Sequence, residues 1–138
     1  MINDLIADML TRIRNACLVK HKFTNIIYTK LNLAILNVFL NEGYINNYQI
    51  YEINNKPIFI NISLKYKGWW CKQSLFKSLK RISKNGKHIY SSYKKFNKYI
   101  NNLKYNQGIA IISTSIGVMS HYKAINIKKG GEILCYIE

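Results

Sequence analysis

Between Ile58 and Lys67 the chain alternates with a period of two, with Ile58, Ile60, Ile62, Leu64 and Tyr66 on one side and Phe59, Asn61, Ser63, Lys65 and Lys67 on the other. Such a run fits a strand with one buried face, because a one-residue slip would carry every apolar side chain into water. A buried face needs a cover, and the preceding sequence offers two helices. Ile6, Met9, Leu10, Ile13 and Cys17 recur at helical spacing, with Asn3 as a candidate N-cap and Asp4 suited to the first turn. The polar side of this helix carries Thr11, Arg12, Arg14 and Asn15. Thr29 is placed to cap a second helix that uses Leu33, Leu36 and Leu40 and ends at Gly43. With a short strand over Asn25 to Tyr28, and a turn at Asn54-Asn55-Lys56-Pro57 between two later strands, the expected N-terminal lobe is α-β-α-β-β over residues 1–68.

A polar strip from Gly68 to Ser74, interrupted by Trp69-Trp70, is the candidate boundary. The Trp pair is read as packing or as a local protein contact. The remaining residues, 69–138, are expected to form a second small lobe, mainly β with short helices, so that the fold class is α/β in two lobes. Leu75, Phe76, Leu79 and Ile82 fit a helix that Gly86 would end, yet Asn85-Gly86 is also a hairpin turn between two strands. A short helix within Lys94 to Lys104, a strand from Ile109, a polar turn or brief helix around His121 to Ile127 and a closing strand over Ile133 to Ile137 complete the lobe.

The net charge of +15, from 21 Lys and Arg against 6 Asp and Glu, requires a broad positive field and favours a polyanionic partner. Nucleic acid leads, and an anionic membrane surface is second. A hydrophobic fraction of 49% with basic residues spread along the chain indicates a folded core, not a disordered tail. No apolar stretch approaches the roughly 20 residues of a spanning helix. MINDLIADML has acids where a presequence would be positive, so the chain is expected to work where it is made. Cys17, Cys71 and Cys135 are odd in number and never form CxxC, which argues against a disulfide framework or a zinc site. The abundance of Lys, Asn, Ile and Tyr, whose codons can be rich in A and T, points to an AT-rich genome.

Gly108 to Met119 reads GIAIISTSIGVM: an apolar β-branched run that stops in Ser113, Thr114 and Ser115 and is followed by Gly117. The terminal block GGEILCYIE again sets glycines, Gly130 and Gly131, beside an acid, Glu132. These two blocks closely resemble the C-terminal signature of the small-subunit ribosomal protein uS8 family of bacteria and organelles. IADMLTRIRNA (Ile6 to Ala16) resembles the family's first helix, and Ala34 to Ile45, ending NEGYI, its second helix and exit turn. LKRISKNGKHIYSSY, Leu79 to Tyr93, is similar to the plastid members in particular. The resemblance runs nearly end to end and is weakest over Tyr48 to Phe76 and Lys94 to Gln107. It favours the hairpin at Asn85-Gly86.

What the resemblance implies is a non-enzymatic structural constituent of the small ribosomal subunit, binding the central domain of small-subunit rRNA and supporting assembly. Its partners would be that rRNA and neighbouring ribosomal proteins, with no cofactor, metal, membrane or small-molecule substrate. The expected location is the plastid stroma, with the gene expected in the plastid itself and a mitochondrial matrix or bacterial cytoplasm as the alternative. Ser113, Thr114 and Ser115 would hydrogen-bond sugar, phosphate and base edges, although strand-ending hydroxyls are by themselves more often turn formers. Gly117, Val118 and Met119 would continue that loop, the glycine for close backbone approach and the apolar pair beneath or against a base. Tyr90 would stack on a base or ribose, or stand as a half-buried core tyrosine. Gly130 and Gly131 would bend the chain or admit a ligand, and Glu132 would pair with a lysine or accept from a base amino group. Thr11, Arg12, Arg14 and Asn15 resemble a second RNA-contacting surface.

The chain departs from the family pattern at Ile116, where a basic residue is usual, at Ser120-His121-Tyr122, where a Thr-Asp-Arg-like run is usual, and at Asn85, where proline is usual. The first two departures are expected to remove one phosphate contact, with Lys123, Lys128 and Lys129 able to compensate, and Asn85 to make the hairpin loop less rigid. A non-ribosomal RNA-binding protein or chaperone shares the charge but not the preference for one RNA element. A basic peripheral membrane protein and a nucleic-acid enzyme are weaker alternatives. His21, His88 and His121 are scattered and read as solvated or phosphate-contacting, and Gly130-Gly131 lacks a nucleotide fingerprint.

Overall fold

The computed structural model describes residues 4–70, 73–102 and 108–138, so Asn3, Cys71 and the stretch 103–107 lie outside the described residues. The chain forms two compact units, residues 1–77 and 78–138.

In the first unit, α1 (Leu5–Leu18) begins at Asp4, whose Oδ1 accepts from the Ala7 amide at 3.1 Å. Asp4 is therefore the N-cap itself rather than a first-turn acid. Ile6, Met9, Leu10, Ile13 and Ala16 face inward, and Cys17 is half-buried. β1 (Phe23–Ile27) leads to α2 (Lys30–Asn41), capped by Thr29 Oγ1 accepting from the Asn32 amide at 2.9 Å. The inward face of α2 is Asn32, Ile35, Leu36, Val38 and Phe39, which leaves Leu33 and Leu40 half-buried at its margins. Asn32 can be interior because its Nδ2 donates to the Ile27 carbonyl at 3.1 Å, tying the helix to the end of β1. Gly43, at φ +79°, ends α2 with Tyr44 N–H donating to Phe39 C=O and Gly43 N–H to Leu40 C=O, the paired bonds of a Schellman stop.

β2 (Ile45–Ile53) and β3 (Lys56–Leu64) are joined by Asn54 and Asn55, both left-handed at φ 53° and 62°. The turn thus needs only these two residues, as a primed hairpin does. Lys56 and Pro57 belong to β3, with Pro57 opposite Glu52 at a register shift. The sheet order is β1-β3-β2, antiparallel throughout, and Ile60, Ile62 and Leu64 of the central strand are buried. A small hairpin follows, β4 (Tyr66–Lys67) against β5 (Gln73–Ser74). Phe76 then stacks on Tyr44 with ring centroids 5.2 Å apart and tilts against Phe39 at 5.4 Å, which keeps the segment up to Lys77 with the first unit.

The second unit contains β6 (Leu79–Arg81), β7 (Tyr90–Ser91), a 3-10 turn (Tyr93–Lys95), α3 (Phe96–Asn102), β8 (Ile109–Ser113), β9 (Val118–Ser120), α4 (His121–Asn126) and β10 (Gly131–Ile137). The sheet runs β6-β10-β8-β9, with β7 also on β10. No helix forms over Leu75 to Ile82, because β6 pairs with the C-terminal half of β10. β7 pairs with its N-terminal half, so β6 and β7 lie end to end along one edge and the chain between them loops out. The expected turn is present: Lys84 and Lys87 exchange backbone hydrogen bonds of 2.8 and 2.9 Å around Asn85-Gly86, with Gly86 at φ +83°. Its flanking strands, however, pair with β10 instead of with each other. Proline suits the position before a left-handed glycine, so Asn85 gives up its fixed φ there.

The neck of this excursion is closed by the buried Ser83, whose hydroxyl donates to Ile133 C=O at 2.6 Å and accepts from Ile89 N–H at 3.0 Å. Beneath one sheet face, Phe96, Ile100, Ala110, Ile112, Met119, Ala124, Ile133 and Tyr136 form the core. Leu134 is the extra residue of a β10 bulge, which lets consecutive residues of that strand all be buried. His121 is buried as well, and its Nδ1 accepts from the Ala110 amide at 3.1 Å. Burial holds its pKa below the ordinary imidazole value of 6.5, and an accepting ring nitrogen must be unprotonated.

Two outcomes follow from these contacts. Ser83→Ala leaves the Ile89 amide without its acceptor and is expected to cost about 2 kcal/mol in denaturant unfolding. Because the folded pKa of His121 is depressed, its contribution to stability is full above pH 6.5 and is lost as pH falls below that value. Melting temperatures measured between pH 7 and 5 should therefore decline less steeply in His121→Asn than in the parent chain.

Candidate nucleic-acid interface

Gly131 sits so close to β8 that an added Cβ would lie 2.1 Å from Ser113 O, and Gly130 is similarly close to Ser91 O, at 2.8 Å. The two glycines therefore make room for the protein's own backbone rather than for a ligand, and in doing so bring the two sequence blocks into contact. Glu132 pairs in register with Ser113 on one side and with Tyr90 on the other, while Ser113 pairs with Val118. Directly opposed residues of antiparallel strands share a face. Tyr90, Glu132, Ser113 and Val118 thus form one row across β7, β10, β8 and β9. The next row, Ile133, Ile112 and Met119, points into the core. Met119 is accordingly a core residue of β9, not part of the loop, and Val118 is half-buried on the opposite side of that strand.

The loop itself is shorter than the sequence suggested. Thr114 and Gly117 exchange backbone hydrogen bonds of 2.9 and 3.2 Å, leaving Ser115 and Ile116 as the hairpin tip. The Thr114 hydroxyl donates to Gly117 C=O at 2.8 Å and accepts from the Ile116 and Gly117 amides at 3.3 Å. Thr114 therefore shapes the turn, while Ser115 is exposed at its tip and Ser113 is half-buried in the row below. Gly117, at φ +152°, has a conformation that L side chains rarely adopt, and its Cβ position faces open space. Ile116 projects into solvent at 67% exposure.

At the other end of the row, Tyr90 is 70% exposed, which removes the core reading of that ring. Glu132 takes a partner that the sequence did not suggest: His88 Nδ1 lies 2.8 Å from its Oε1. Sequence reasoning missed His88, because its partner is 44 positions away and only the looped-out Ser83 to Ile89 segment carries it to β10. Ser120 and His121 are buried, the first with its hydroxyl capping α4 by accepting from Lys123 N–H at 3.4 Å. They are fold residues in this chain and cannot meet phosphate, so the solvated reading of His121 is overturned. Lys84 and Lys87 at the turn, and Lys123, Lys128 and Lys129 after β9, are all exposed.

In the first unit, Thr11, Arg12, Arg14 and Asn15 are all exposed on the outer side of α1. Arg12 Nε is held 2.9 Å from Asp8 Oδ2, an i,i+4 pair that fixes the guanidinium along the helix. Trp69 and Trp70, expected to pack or to touch protein, each stand 92% exposed. Among the described residues, no group of three His, Cys, Asp or Glu side chains is placed to hold a metal ion, and no helix is long and apolar enough to cross a membrane.

The family described as Ribosomal protein S8 matches residues 4–137. "Small ribosomal subunit protein uS8c" of Gracilaria tenuistipitata var. liui is 52% identical over 138 residues, and its counterpart in Trieres chinensis is 48% identical over 137, each alignment covering 99% of both chains. "Small ribosomal subunit protein uS8" of Wolbachia pipientis wMel is 43% identical over 136 residues, covering 99% of this chain and 98% of that one. With a match that spans both units and relatives that align along almost their whole length, the chain belongs to the ribosomal protein S8 family.

Proposed function

We propose that this protein is a structural constituent of the small ribosomal subunit that binds small-subunit rRNA, in its central domain, through the β7-β10-β8-β9 face. The observation that carries this reading is the single row Tyr90, Glu132, Ser113 and Val118, capped by the exposed Ser115 turn. It places an aromatic face, a carboxylate, hydroxyls and a small apolar contact side by side on a rigid sheet. An irregular RNA helix displays 2′-hydroxyls and base edges in a wide, shallow groove, and short side chains on a stiff edge can reach them. The carboxylate can accept from a base amino group while His88 fixes its direction. Lys84, Lys87, Lys123, Lys128 and Lys129 offset phosphate repulsion and release counterions, which gives affinity without sequence information.

The outer side of α1, with Thr11, Arg12, Arg14 and Asn15, provides a second RNA-contacting surface. Neighbouring ribosomal proteins are the other partners, and the role involves no catalysis, membrane or small-molecule substrate. The plastid-type relatives support work in a plastid ribosome, with a bacterial ribosome as the alternative.

Competition between the cognate central-domain rRNA helix and a scrambled duplex of equal length, across a salt titration, tests the reading. The expected result is a preference for the cognate element that survives high salt and falls about tenfold in Ser115→Ala, the scale of one lost hydrogen bond to a charged or well-oriented partner. Equal affinities that collapse together would instead mark a general RNA binder held by charge alone. Replacing Lys123, Lys128 and Lys129 with alanine should weaken both duplexes alike and lower the salt slope by about one for each phosphate no longer neutralised.

A further inference from the structure

The β4–β5 hairpin ends in an unusual way for a folded domain. Its base is fixed: the Tyr66 hydroxyl donates to His21 C=O, Ser74 Oγ accepts from the Phe76 amide at 3.1 Å, and Phe76 is stacked on Tyr44. Its described tip presents Trp69 and Trp70, each 92% exposed, with ring centroids 6.1 Å apart and planes 67° from parallel. Two large apolar rings are thus held in water on an anchored support, touching each other edge to face. Neither fills the core of the first unit, so the fold gains little from them and the solvation cost remains.

The surroundings identify the partner chemistry. Lys65 and Lys67 precede the pair and are exposed. No acidic residue occurs anywhere in the sequence between Glu52 and Glu132. Aromatic faces among lysines, without acids, match an unpaired stretch of a polyanion whose bases offer flat faces and whose phosphates offer charge. A lipid surface would call for a sustained amphipathic helix beside the rings, and the flanking elements are two-residue strands.

We infer that Trp69 and Trp70 form a stacking site for unpaired RNA bases, separate from the hydroxyl-lined face of the second unit. One indole takes a base on its open face, the other packs its edge against the same nucleotide, and Lys65 and Lys67 meet the adjoining phosphates. This rests on the RNA-binding reading above and extends it to a single-stranded element beside the irregular helix.

The chain holds only two tryptophans, so its indole emission reports on this site alone. Wild type, Trp69→Phe and Trp70→Phe are titrated with a central-domain rRNA fragment that includes unpaired segments, and binding is followed in parallel by filter retention. Stacking predicts quenching that saturates with binding, and affinity about tenfold lower in the Trp69→Ala, Trp70→Ala double variant with an unchanged salt slope. High exposure of both rings means that the double variant should fold as the parent does, which its melting curve checks. Retention of the RNA with full affinity and unmoved emission overturns the stacking site and leaves the Ser115-dependent interface standing. Emission that shifts only with anionic phosphatidylglycerol vesicles, or only with other small-subunit proteins, overturns it in favour of those partners. Failure to retain the RNA at all removes the underlying reading and this one together.

Discussion

The pairing of β10 with β8 is the contact on which the second unit depends. Gly131 lies against the Ser113 backbone, Gly108 against Tyr136 and the Ile137 carbonyl, and no side chain larger than hydrogen fits at either glycine. The Gly108 amide donates to the Tyr136 hydroxyl at 2.9 Å, so the close approach also satisfies a ring that would otherwise bury a polar atom. Given that register, Ile112 and Ile133 enter the core together, and Ser113 and Glu132 leave it together. A glycine pair that looks like ligand chemistry in the sequence is thus first a packing device. Its consequence is geometric, because it sets the hydroxyl and the carboxylate next to each other.

The same strand organises the exposed loop on its far edge. β10 receives β6 and β7 in line, and the residues between them are expelled as an excursion whose neck is closed by the Ser83 hydroxyl together with backbone bonds of Ser83 and Ile89 to Ile133. That excursion carries His88 to Glu132 and lysines to the rim. Interior and surface are therefore coupled: the buried Ser83 fixes the path of a segment whose lysines and His88 are exposed. The buried His121 plays a comparable role on the other edge, where its ring nitrogen replaces a strand partner for the Ala110 amide.

Charge and shape divide the work of recognition. Lysines spread over both units give attraction that is long in range and indifferent to sequence. In the proposed reading discrimination falls to short, oriented groups held on strands or on a tight turn whose own hydroxyl, that of Thr114, is committed to its geometry. Only Ser115 then remains at the tip, beside an exposed Ile116. That tip carries an apolar side chain, while Lys123, Lys128 and Lys129 stand exposed after β9.

By itself the sequence determined the elements that local physics dictates. The period of Ile58 to Tyr66 named the central strand, the spacing of Ile6 to Ile13 named the first helix, and Thr29 and Gly43 marked where the second starts and stops. The blocks around Ser113 and Glu132 stood out only through their resemblance to a family signature, since strand-ending hydroxyls by themselves read as turn formers. What the tertiary structure alone decided was pairing: that Lys56 and Pro57 continue a strand, that Met119 turns inward, that Glu132 meets His88, and that Gly131 accommodates backbone. The reason is physical. Periodicity and capping act over a few residues of chain, whereas register and close approach are fixed by contacts between residues tens of positions apart, whose energies no local pattern contains.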